Sequence, residues 1–311
     1  MITVQGDTEF ASVEQQRHLL ASAPTDFDRY SAARIMAEEQ RHGWQMAYLL
    51  MTYFGQQGRR EAQKLLERNA QDGDRLLGAF NIPMPHWLDF FCYTMFVDRD
   101  GKFQLGMLST SAFKPLAASM GPMLKEEAFH LGTGFNGLRR IIKAGVLPLD
   151  MLQRYINKWV STAHDLFGVD ASSSAHWAYV WGIKGRWDER KKLGSGIDVD
   201  KETLNEEARG HYHDEIVREV EKLNKYLPKD AAKLYVPHEN FNRNIGVTKK
   251  QNHNTDGSKF EGSDEEWNTY ITSNLPTKED EESLKEFFKQ EWIENKPMST
   301  SQIESGIGAT A

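Results

Sequence analysis

Cysteine is nearly absent from the sequence, because Cys92 is the single one in 311 residues. One thiol can build neither a disulfide framework nor a cysteine-ligated iron–sulfur cluster. Any electrons that a redox centre in this chain consumes are therefore expected to come from another polypeptide. Cys92 itself lies in an apolar run, which is typical of a small buried side chain.

Long hydrophobic runs are missing as well, since no window approaches 18 uninterrupted apolar residues and no membrane span is expected. Residues 1–6 show neither the basic segment nor the apolar core of a secretion signal. The net charge of −7 argues against a general nucleic-acid binder. Walker A, dinucleotide-fingerprint and nucleophile-elbow motifs are absent, so no nicotinamide or flavin site is expected. We expect a cytoplasmic enzyme.

The chain does contain one five-residue pattern that occurs twice. Glu38-Glu39-Gln40-Arg41-His42 recurs as Glu126-Glu127-Ala128-Phe129-His130. Glu9 lies 30 residues before Glu39, and Asp98 lies 29 residues before Glu127. This layout predicts a duplicated helical hairpin that supplies two carboxylates and one histidine per half. Four carboxylates and two imidazoles are the ligand set of a carboxylate-bridged di-iron centre in a four-helix bundle.

Helical spacing lets each glutamate–histidine pair reach one metal, since positions i and i+3 lie on one face about 4.5 Å apart along the axis. Both pairs lie in otherwise apolar stripes, where a carboxylate is rarely buried without a partner or a cation. The alternative is that Glu39 and Glu127 are solvated and that the histidines are core residues. The matched recurrence favours the metal site. Glu38 and Glu126 point about 100° away, so we expect them at the surface or beside the ligands.

The lone acid of the second half has two alternatives to its metal role. Asp98 begins Asp98-Arg99-Asp100-Gly101, which is a good turn sequence. Asp89 lies on the same apolar run at a different angle and is a competing ligand candidate. The symmetry of the spacing favours Asp98 as the ligand.

The predicted fold is mainly α, with a four-helix bundle over residues 1–165. A C-terminal extension with extra helices and irregular segments follows over residues 166–311, and it includes a polar, poorly structured stretch near residues 237–276. Helices are predicted over 5–22, from a cap at Asp26 or Asp28 to about Phe54, over 58–70, after Pro83 and Pro85, over 110–120, 122–143, 149–165 and 214–226, and from a cap at Thr277 to Glu291. Residues 299–311 are predicted to be a frayed tail.

Two further polar segments have competing interpretations. His211-Tyr212-His213-Asp214 resembles a small metal cluster, but it precedes a predicted helix in which Asp214 is a favourable first-turn residue. The basic run over residues 184–192 is either a solvated loop or a clamp for the phosphate of an anionic substrate. Lys184 and Arg186 are its candidate substrate contacts.

The two glutamate–histidine segments resemble the iron-binding helices of the benzoyl-CoA epoxidase family and, more distantly, the catalytic subunit of phenylacetyl-CoA epoxidase. The similar stretches are Ala37-Glu38-Glu39-Gln40-Arg41-His42-Gly43-Trp44, Met123-Leu124-Lys125-Glu126-Glu127-Ala128-Phe129-His130, Gln5-Gly6-Asp7-Thr8-Glu9, Asp98-Arg99-Asp100-Gly101-Lys102, Asp165-Leu166-Phe167-Gly168 and Lys184-Gly185-Arg186-Trp187. The resemblance covers roughly residues 4–195.

That resemblance implies a ferritin-like bundle with two Fe and the same six ligands that the spacing selects: Glu9, Glu39, His42, Asp98, Glu127 and His130. It implies catalytic roles for Glu39, Glu127 and Gln5, with Gln5 facing the substrate thioester. The implied reaction epoxidises benzoyl-CoA to 2,3-epoxybenzoyl-CoA with O2 and a separate NADPH-dependent reductase. We expect an apolar wall to hold the ring: Trp87, Phe90, Phe91, Met95 and Phe96.

The chain departs from this family at its start, because members carry a substantial region before the first ligand helix. We therefore expect a fragment or a shorter relative. The alternatives are another di-metal oxidase or hydroxylase on the same bundle, a non-catalytic ferritin-like protein of the same complex, and a helical interaction protein in which the six positions do not converge. The ligand set accepts both iron and manganese.

Overall fold

The computed structural model of the chain describes residues 1–189, 203–246 and 251–287, which are mostly helical. The helices are α1 (Ile2–Gln16), α2 (Asp26–Tyr53), α3 (Gly55–Glu67), α4 (Trp87–Leu108), α5 (Lys114–Ala144), α6 (Leu149–Leu166), α7 (Ser173–Val180), α8 (Leu204–Asn224), α9 (Asp264–Asn274) and α10 (Lys278–Phe287). Extended pairing in these ranges is limited to one isolated bridge between His253 and Lys259. The mainly-α prediction is confirmed. None of the helices in these ranges has the length and low charge needed to cross a bilayer.

Two helical hairpins form the bundle. Helix α1 packs against α2, α4 packs against α5, and α2 contacts α5. A buried ion pair between Arg140 on α5 and Asp28 on α2 ties the two hairpins together. Helices α6 and α8 cover the outer side of α4, and Tyr212 of α8 donates its hydroxyl to the Phe96 carbonyl at 3.1 Å.

The start of α2 corrects one sequence prediction. Thr25, rather than Asp26 or Asp28, is the capping residue, and its hydroxyl oxygen accepts the Asp28 backbone N–H at 3.1 Å. The two aspartates lie in the first turn, where negative charge interacts favourably with the helix dipole. This cap fixes where the long helix begins and hence the register of Glu39 and His42.

Helix α5 is continuous where the sequence predicts two helices, over 110–120 and 122–143, so that prediction is wrong. Pro122 lies inside the helix, where its missing N–H removes one backbone hydrogen bond. Met120 and Met123 are fully buried on either side of Pro122. The apolar stripe therefore runs through the proline without a break, and its packing keeps the helix intact.

Other boundaries also differ from the predictions. The first helix ends at Gln16 and passes into a 3₁₀ turn, Arg17–Ser22. Helix α8 begins at Leu204, ten residues before the predicted start at 214. The predicted poorly structured stretch contains α9.

Thr277 caps α10 as predicted, because its hydroxyl accepts the Asp280 N–H at 3.2 Å. The predicted end of that helix at Glu291 and the tail over 299–311 lie outside the described residues. The division of the chain at residue 165 stays a prediction.

A glycine in each hairpin lets the paired helices approach closely. A Cβ on Gly134 of α5 would lie 2.4 Å from the backbone nitrogen of Met95 on α4. A Cβ on Gly6 of α1 would lie 3.0 Å from the Cβ of Met46 on α2. Each contact lies one helical turn from a predicted ligand on either helix, so it limits the distance between the predicted ligands of the two paired helices.

We expect Gly134→Ala to destabilise the protein, because the added methyl meets backbone atoms of α4 that cannot move aside. The expected loss in the free energy of unfolding is about 1–3 kcal/mol, measured by urea denaturation. Gly132→Ala is the matched control, since a Cβ there meets nothing within 4 Å, and it should raise stability by up to about 1 kcal/mol. Equal effects of the two substitutions would contradict the close approach.

Candidate metal centre

The six predicted ligand residues converge at the centre of the bundle. Ligand atoms of Glu9, Glu39 and His42 lie within 4.8 Å of one another, and so do those of Glu39, Glu127 and His130. Glu39 therefore belongs to both groups. Helices α1 and α2 provide one group, and α2 and α5 provide the other.

The Nδ1 atoms of the two histidines face the carboxylates. His42 Nδ1 lies 3.4 Å from Glu9 Oε2. His130 Nδ1 lies 3.2 Å from Glu39 Oε1, 3.5 Å from Glu127 Oε2 and 3.7 Å from Asp98 Oδ2. Each ring thus points the same nitrogen at the carboxylate oxygens.

Asp98 joins this cluster, whereas its competitor Asp89 does not. Asp98 is buried within α4, so the predicted alternative of a turn at residues 98–101 is wrong. Asp89 accepts hydrogen bonds from Lys158 Nζ at 2.7 Å and from Trp159 Nε1 at 2.8 Å. This ammonium and this indole N–H hold Asp89 against α6, away from the cluster.

The donor set fits bound metal. All six side chains are at most 7% exposed, yet several of their atoms have no hydrogen-bond partner. The unpartnered atoms are His42 Nδ1, His130 Nδ1, Asp98 Oδ2 and Glu127 Oε2. Buried polar atoms without partners are costly, and a cation bound by carboxylates and imidazoles would satisfy these atoms together. The residues present therefore fit a metal centre.

The pKa values show how strongly the carboxylates repel one another without a cation. Burial, with the charge of Glu9, raises the pKa of Glu39 well above its usual range. Burial, with the charge of Glu127, does the same to the pKa of Asp98. Burial alone would lower the pKa of His130, but the charge of Glu127 and the nearby carboxylates of Glu38 and Glu39 raise it well above its usual value. In the metal-free protein, bound protons reduce the negative charge that a cation would otherwise neutralise.

A pair of glutamates outside the cluster orients the two imidazoles. Glu38 on α2 contacts His130 Nε2 at 3.0 Å, and Glu126 on α5 contacts His42 Nε2 at 2.6 Å. Each glutamate therefore serves the histidine of the other hairpin. If Nε2–H is donated to this carboxylate, the Nδ1 of each ring would be free to bind a metal. Of the two predicted placements, at the surface or beside the candidate ligands, the structure shows the second.

A cavity of about 670 Å³ opens onto the cluster. Its lining includes all four candidate carboxylates, Glu9, Glu39, Asp98 and Glu127. Its apolar lining consists of Val4, Leu77, Phe80, Tyr93, Val97, Leu105, Leu108, Leu166, Phe167 and Val169, together with Met1 and several alanines. The cavity thus offers an apolar compartment next to the candidate ligand atoms.

The predicted apolar wall is wrong. Trp87, Phe90, Phe91, Met95 and Phe96 are all buried in the core between helices, and none of them lines this cavity. The reason is that α4 is buried on every side over these residues, so apolar character alone does not show which face meets the cavity. The cavity face is the stripe through Val97, Gly101, Leu105 and Leu108.

The three predicted substrate contacts differ in placement. Gln5 lines the cavity and donates through Nε2 to Glu9 Oε1 at 2.6 Å. Lys184 also lines the cavity. Arg186 does not; its Nε donates to Asp188 Oδ1 at 2.6 Å and its Nη2 lies 3.7 Å from Glu207.

No sequence pattern indicated four of the polar residues that share the cavity with Lys184. These are Asp100, Gln104, Asp170 and Asn205. They come from three separate segments, so neither spacing nor motif links them. Asp100 and Gln104 lie on the same helix as Asp98, and this proximity in sequence was the one signal that could have placed them near the site.

The segment His211-Tyr212-His213-Asp214 lies within α8 rather than before it. His213 Nδ1 is 3.3 Å from His164 Nε2. In the described ranges, this pair has no third histidine or acidic ligand within metal-binding distance. The interpretation as a second metal cluster therefore receives no support from this part of the chain.

Comparison with known proteins gives consistent matches. The chain matches the family described as phenylacetic acid catabolic protein over residues 1–246. Benzoyl-CoA oxygenase component B of Aromatoleum evansii is 39% identical over 323 residues, covering 90% of this chain and 68% of that protein. One of the subunits of the 1,2-phenylacetyl-CoA epoxidase of Escherichia coli (strain K12) is 26% identical over 151 residues, covering 48% of this chain and 43% of that protein. The family match includes every residue of the cluster and of the cavity lining.

We expect Glu126→Ala to weaken metal binding although it removes none of the six candidate ligands. Without the carboxylate on Nε2, the His42 ring loses its fixed orientation, and an affinity loss of about 10- to 100-fold is expected. Competition with a chelator of known affinity measures this loss. Glu126→Gln keeps an acceptor oxygen and should lose less, and Glu61→Ala on α3 is the surface control. An unchanged affinity in Glu126→Ala would show that the contact does not orient the ring.

We expect the metal-free protein to lose stability as the pH rises above the ordinary carboxyl pKa of about 4. Glu39 and Asp98, whose pKa values are raised, keep protons in the folded state above the ordinary carboxyl value of about 4. The folded state therefore binds more protons than the unfolded state, and the free energy of unfolding falls with rising pH. The raised pKa of His42 and His130 acts in the same direction.

Urea unfolding with a chelator present measures this slope. Other buried groups also titrate, so the relevant quantity is the difference between the unmodified protein and Glu39→Gln, which should show a shallower fall. Added metal should remove the fall. The prediction would be refuted if the difference in free energy of unfolding between the metal-free unmodified protein and metal-free Glu39→Gln did not change with pH.

Proposed function

The chain belongs to the phenylacetic acid catabolic protein family, and from this premise we propose that it is a di-iron oxygenase of aryl-CoA thioesters. The proposed reaction converts benzoyl-CoA to 2,3-epoxybenzoyl-CoA. One atom of O2 enters the ring and the other leaves as water. The two electrons come from NADPH through a separate reductase, because the chain has a single buried cysteine and no nucleotide-binding motif.

One observation carries the proposal: a cluster of four carboxylates and two histidines faces an apolar cavity of about 670 Å³. The size is in the range of small-molecule sites. The relative from Aromatoleum evansii is named a benzoyl-CoA oxygenase, and its similarity covers 90% of this chain. The carboxylate and histidine cluster next to an apolar cavity supports oxygen chemistry on an aromatic ring, and the name of this relative is consistent with that chemistry.

In this proposal the metal is held by Glu9, Glu39, His42, Asp98, Glu127 and His130. When bound, two irons supply the redox chemistry that activates O2, which carboxylate oxygens and imidazoles suit. Glu39 contributes to both triads of converging atoms, so it would be the one carboxylate of this set that could serve either triad when metal is bound. Glu38 and Glu126 hold the imidazoles so that Nδ1 stays available.

Gln5 is the residue proposed to orient the thioester. Its Nε2 already donates one hydrogen to Glu9 Oε1 at 2.6 Å, and an amide nitrogen carries a second hydrogen. That second N–H is suited to the thioester carbonyl, because Gln5 and Glu9 line the same cavity. The carbonyl would then be fixed one helical turn from the carboxylate cluster.

The apolar lining has two roles in the proposed reaction. Leu77, Phe80, Val97 and Leu105 offer surface to the ring and exclude bulk water from it. Exclusion of water matters because it strengthens the electrostatic interactions within the site and limits side reactions. The ring position is therefore set by shape, and the thioester position is set by hydrogen bonds.

We expect Glu127→Ala to lose bound iron and epoxide formation together. The chain is purified after growth with iron and its metal content is measured per monomer. It is then supplied with benzoyl-CoA, O2, NADPH and a reductase, and ¹⁸O incorporation is followed by mass spectrometry. The unmodified chain should bind about two irons per monomer, and Glu61→Ala should behave as the unmodified chain does.

Iron content and turnover that survive Glu127→Ala would contradict the proposed centre. A chain that binds manganese in preference to iron, or that oxidises other substrates, would indicate another di-metal oxidase. A folded chain that binds no metal would indicate a non-catalytic subunit.

A further inference from the structure

Lys184 occupies the cavity at a distance from the carboxylate cluster. Its ammonium donates to Gln104 Oε1 at 2.9 Å and to Asn205 Oδ1 at 2.6 Å. These acceptors belong to α4 and α8, so the lysine joins two helices that both line the cavity. Burial lowers the pKa of Lys184 to about 8, while the charges of Asp100 and Asp170 favour the ammonium.

The hydrogen-bonding capacity of this ammonium is not used up. A lysine ammonium carries three N–H donors, and two of them are directed at neutral amide oxygens. The remaining donor is available to a ligand in the cavity that Lys184 lines. A hydrogen bond from a charged donor is among the stronger ones available for recognition.

The surrounding charges favour a neutral acceptor over a phosphate. Asp100 and Asp170 line the same part of the cavity, and both act on Lys184 electrostatically. Asp170 is fixed there, since its two oxygens accept the backbone N–H groups of Asn205 and Glu206 at 2.9 Å each. Asp170 offsets the charge of the ammonium, and Asp100, whose pKa burial raises to about 7, adds negative charge as the pH rises through that value. These three side chains therefore leave no excess positive charge for a phosphate. An amide carbonyl is neutral and meets no such electrostatic penalty.

The position along α4 indicates which carbonyl of the substrate is within reach. Gln104 follows Asp98 by six residues, which is about 9 Å along the helix axis. In an aryl-CoA thioester, the ring carbon that is oxidised and the carbon of the nearer pantetheine amide are separated by roughly 8 Å when the arm is extended. The phosphates lie at roughly twice that distance or more.

We propose that Lys184 donates a hydrogen bond to the amide carbonyl nearest the thioester sulfur of the substrate and thereby sets the depth of the aromatic ring in the cavity. This inference rests on the proposed function, since it assumes an aryl thioester with a cysteamine-type arm. It assigns Lys184 a role different from the phosphate clamp that the basic run first indicated. Gln104 and Asn205 are positioning residues that hold the ammonium in place.

Binding of two small thioesters tests the proposal without turnover. S-benzoyl-N-acetylcysteamine keeps the amide and lacks the phosphates, whereas S-pentyl thiobenzoate has an arm of the same length without the amide. The full chain is loaded with metal, kept without an electron donor, and titrated by calorimetry. For each protein, the affinity for the amide-containing thioester is divided by the affinity for the pentyl thioester, as in a double-mutant cycle. This ratio should be about 10- to 100-fold larger for the unmodified chain than for Lys184→Met.

Lys102→Met is the matched control, because Lys102 lies on α4 two residues before Gln104 but does not line the cavity and is paired with Glu215 at 2.7 Å. It should keep the full preference for the amide. Circular dichroism and the unfolding midpoint confirm that Lys184→Met is folded. If that variant is not folded, the deciding measurement is whether the unmodified chain binds the amide-containing thioester more tightly than the pentyl thioester. Equal binding of the two thioesters overturns the proposal.

Two other results would also overturn it. Lys184→Met could keep the amide preference, or it could weaken benzoyl-CoA alone while leaving S-benzoyl-N-acetylcysteamine unaffected, which would indicate a phosphate contact. The proposed function fails separately: a chain that shows the amide preference but forms no epoxide from benzoyl-CoA refutes the oxygenase and not the contact. Binding of neither thioester counts against both.

Discussion

Mutual repulsion among buried carboxylates is the constraint on which this structure depends. Glu9, Glu39, Asp98 and Glu127 are each at most 7% exposed, and solvent therefore screens them little. Such an arrangement is stable only with protons or cations among the carboxylates. The raised pKa values of Glu39 and Asp98 mean that these two carboxyl groups hold protons when no cation is bound. The close helix packing at Gly6 and Gly134 holds the groups together against their repulsion.

The site combines two kinds of environment that the same helices provide. On α4, Asp98 faces the charged cluster, while Leu105 and Leu108 continue the cavity as an apolar surface. Gln104, between these two leucines and Asp98, brings in the ammonium of Lys184. One helix therefore presents a candidate metal ligand, an apolar surface and an amide, and a substrate lying along it would meet all three.

The candidate ligand set could be read from the sequence because both halves repeat one spacing, and its role in binding metal stays a prediction. Two Glu-x-x-His pairs with matched upstream acids selected six residues, and the structure brings all six together, with Asp98 rather than Asp89. The cavity lining could not be predicted in the same way. Trp87 through Phe96 are apolar on nearly all faces, so periodicity does not distinguish the core side from the cavity side. Pro122 misled the prediction of α5, because tertiary packing outweighed a local helix-breaking preference. Asn205 lies about a hundred residues from Gln104, and no local pattern connects the two.

The exchanged contacts of Glu38 and Glu126 bear on how a duplicated chain of this kind is built. Each hairpin supplies a glutamate to the histidine of the other, which is the reciprocity of an isologous interface between two identical units. The packing is less symmetric, because the glycine lies on the first helix of one hairpin and on the second helix of the other. A single hairpin would leave its own histidine without the carboxylate contact at Nε2. The two halves are therefore bound to change together, since a substitution in one half is felt first at the imidazole of the other.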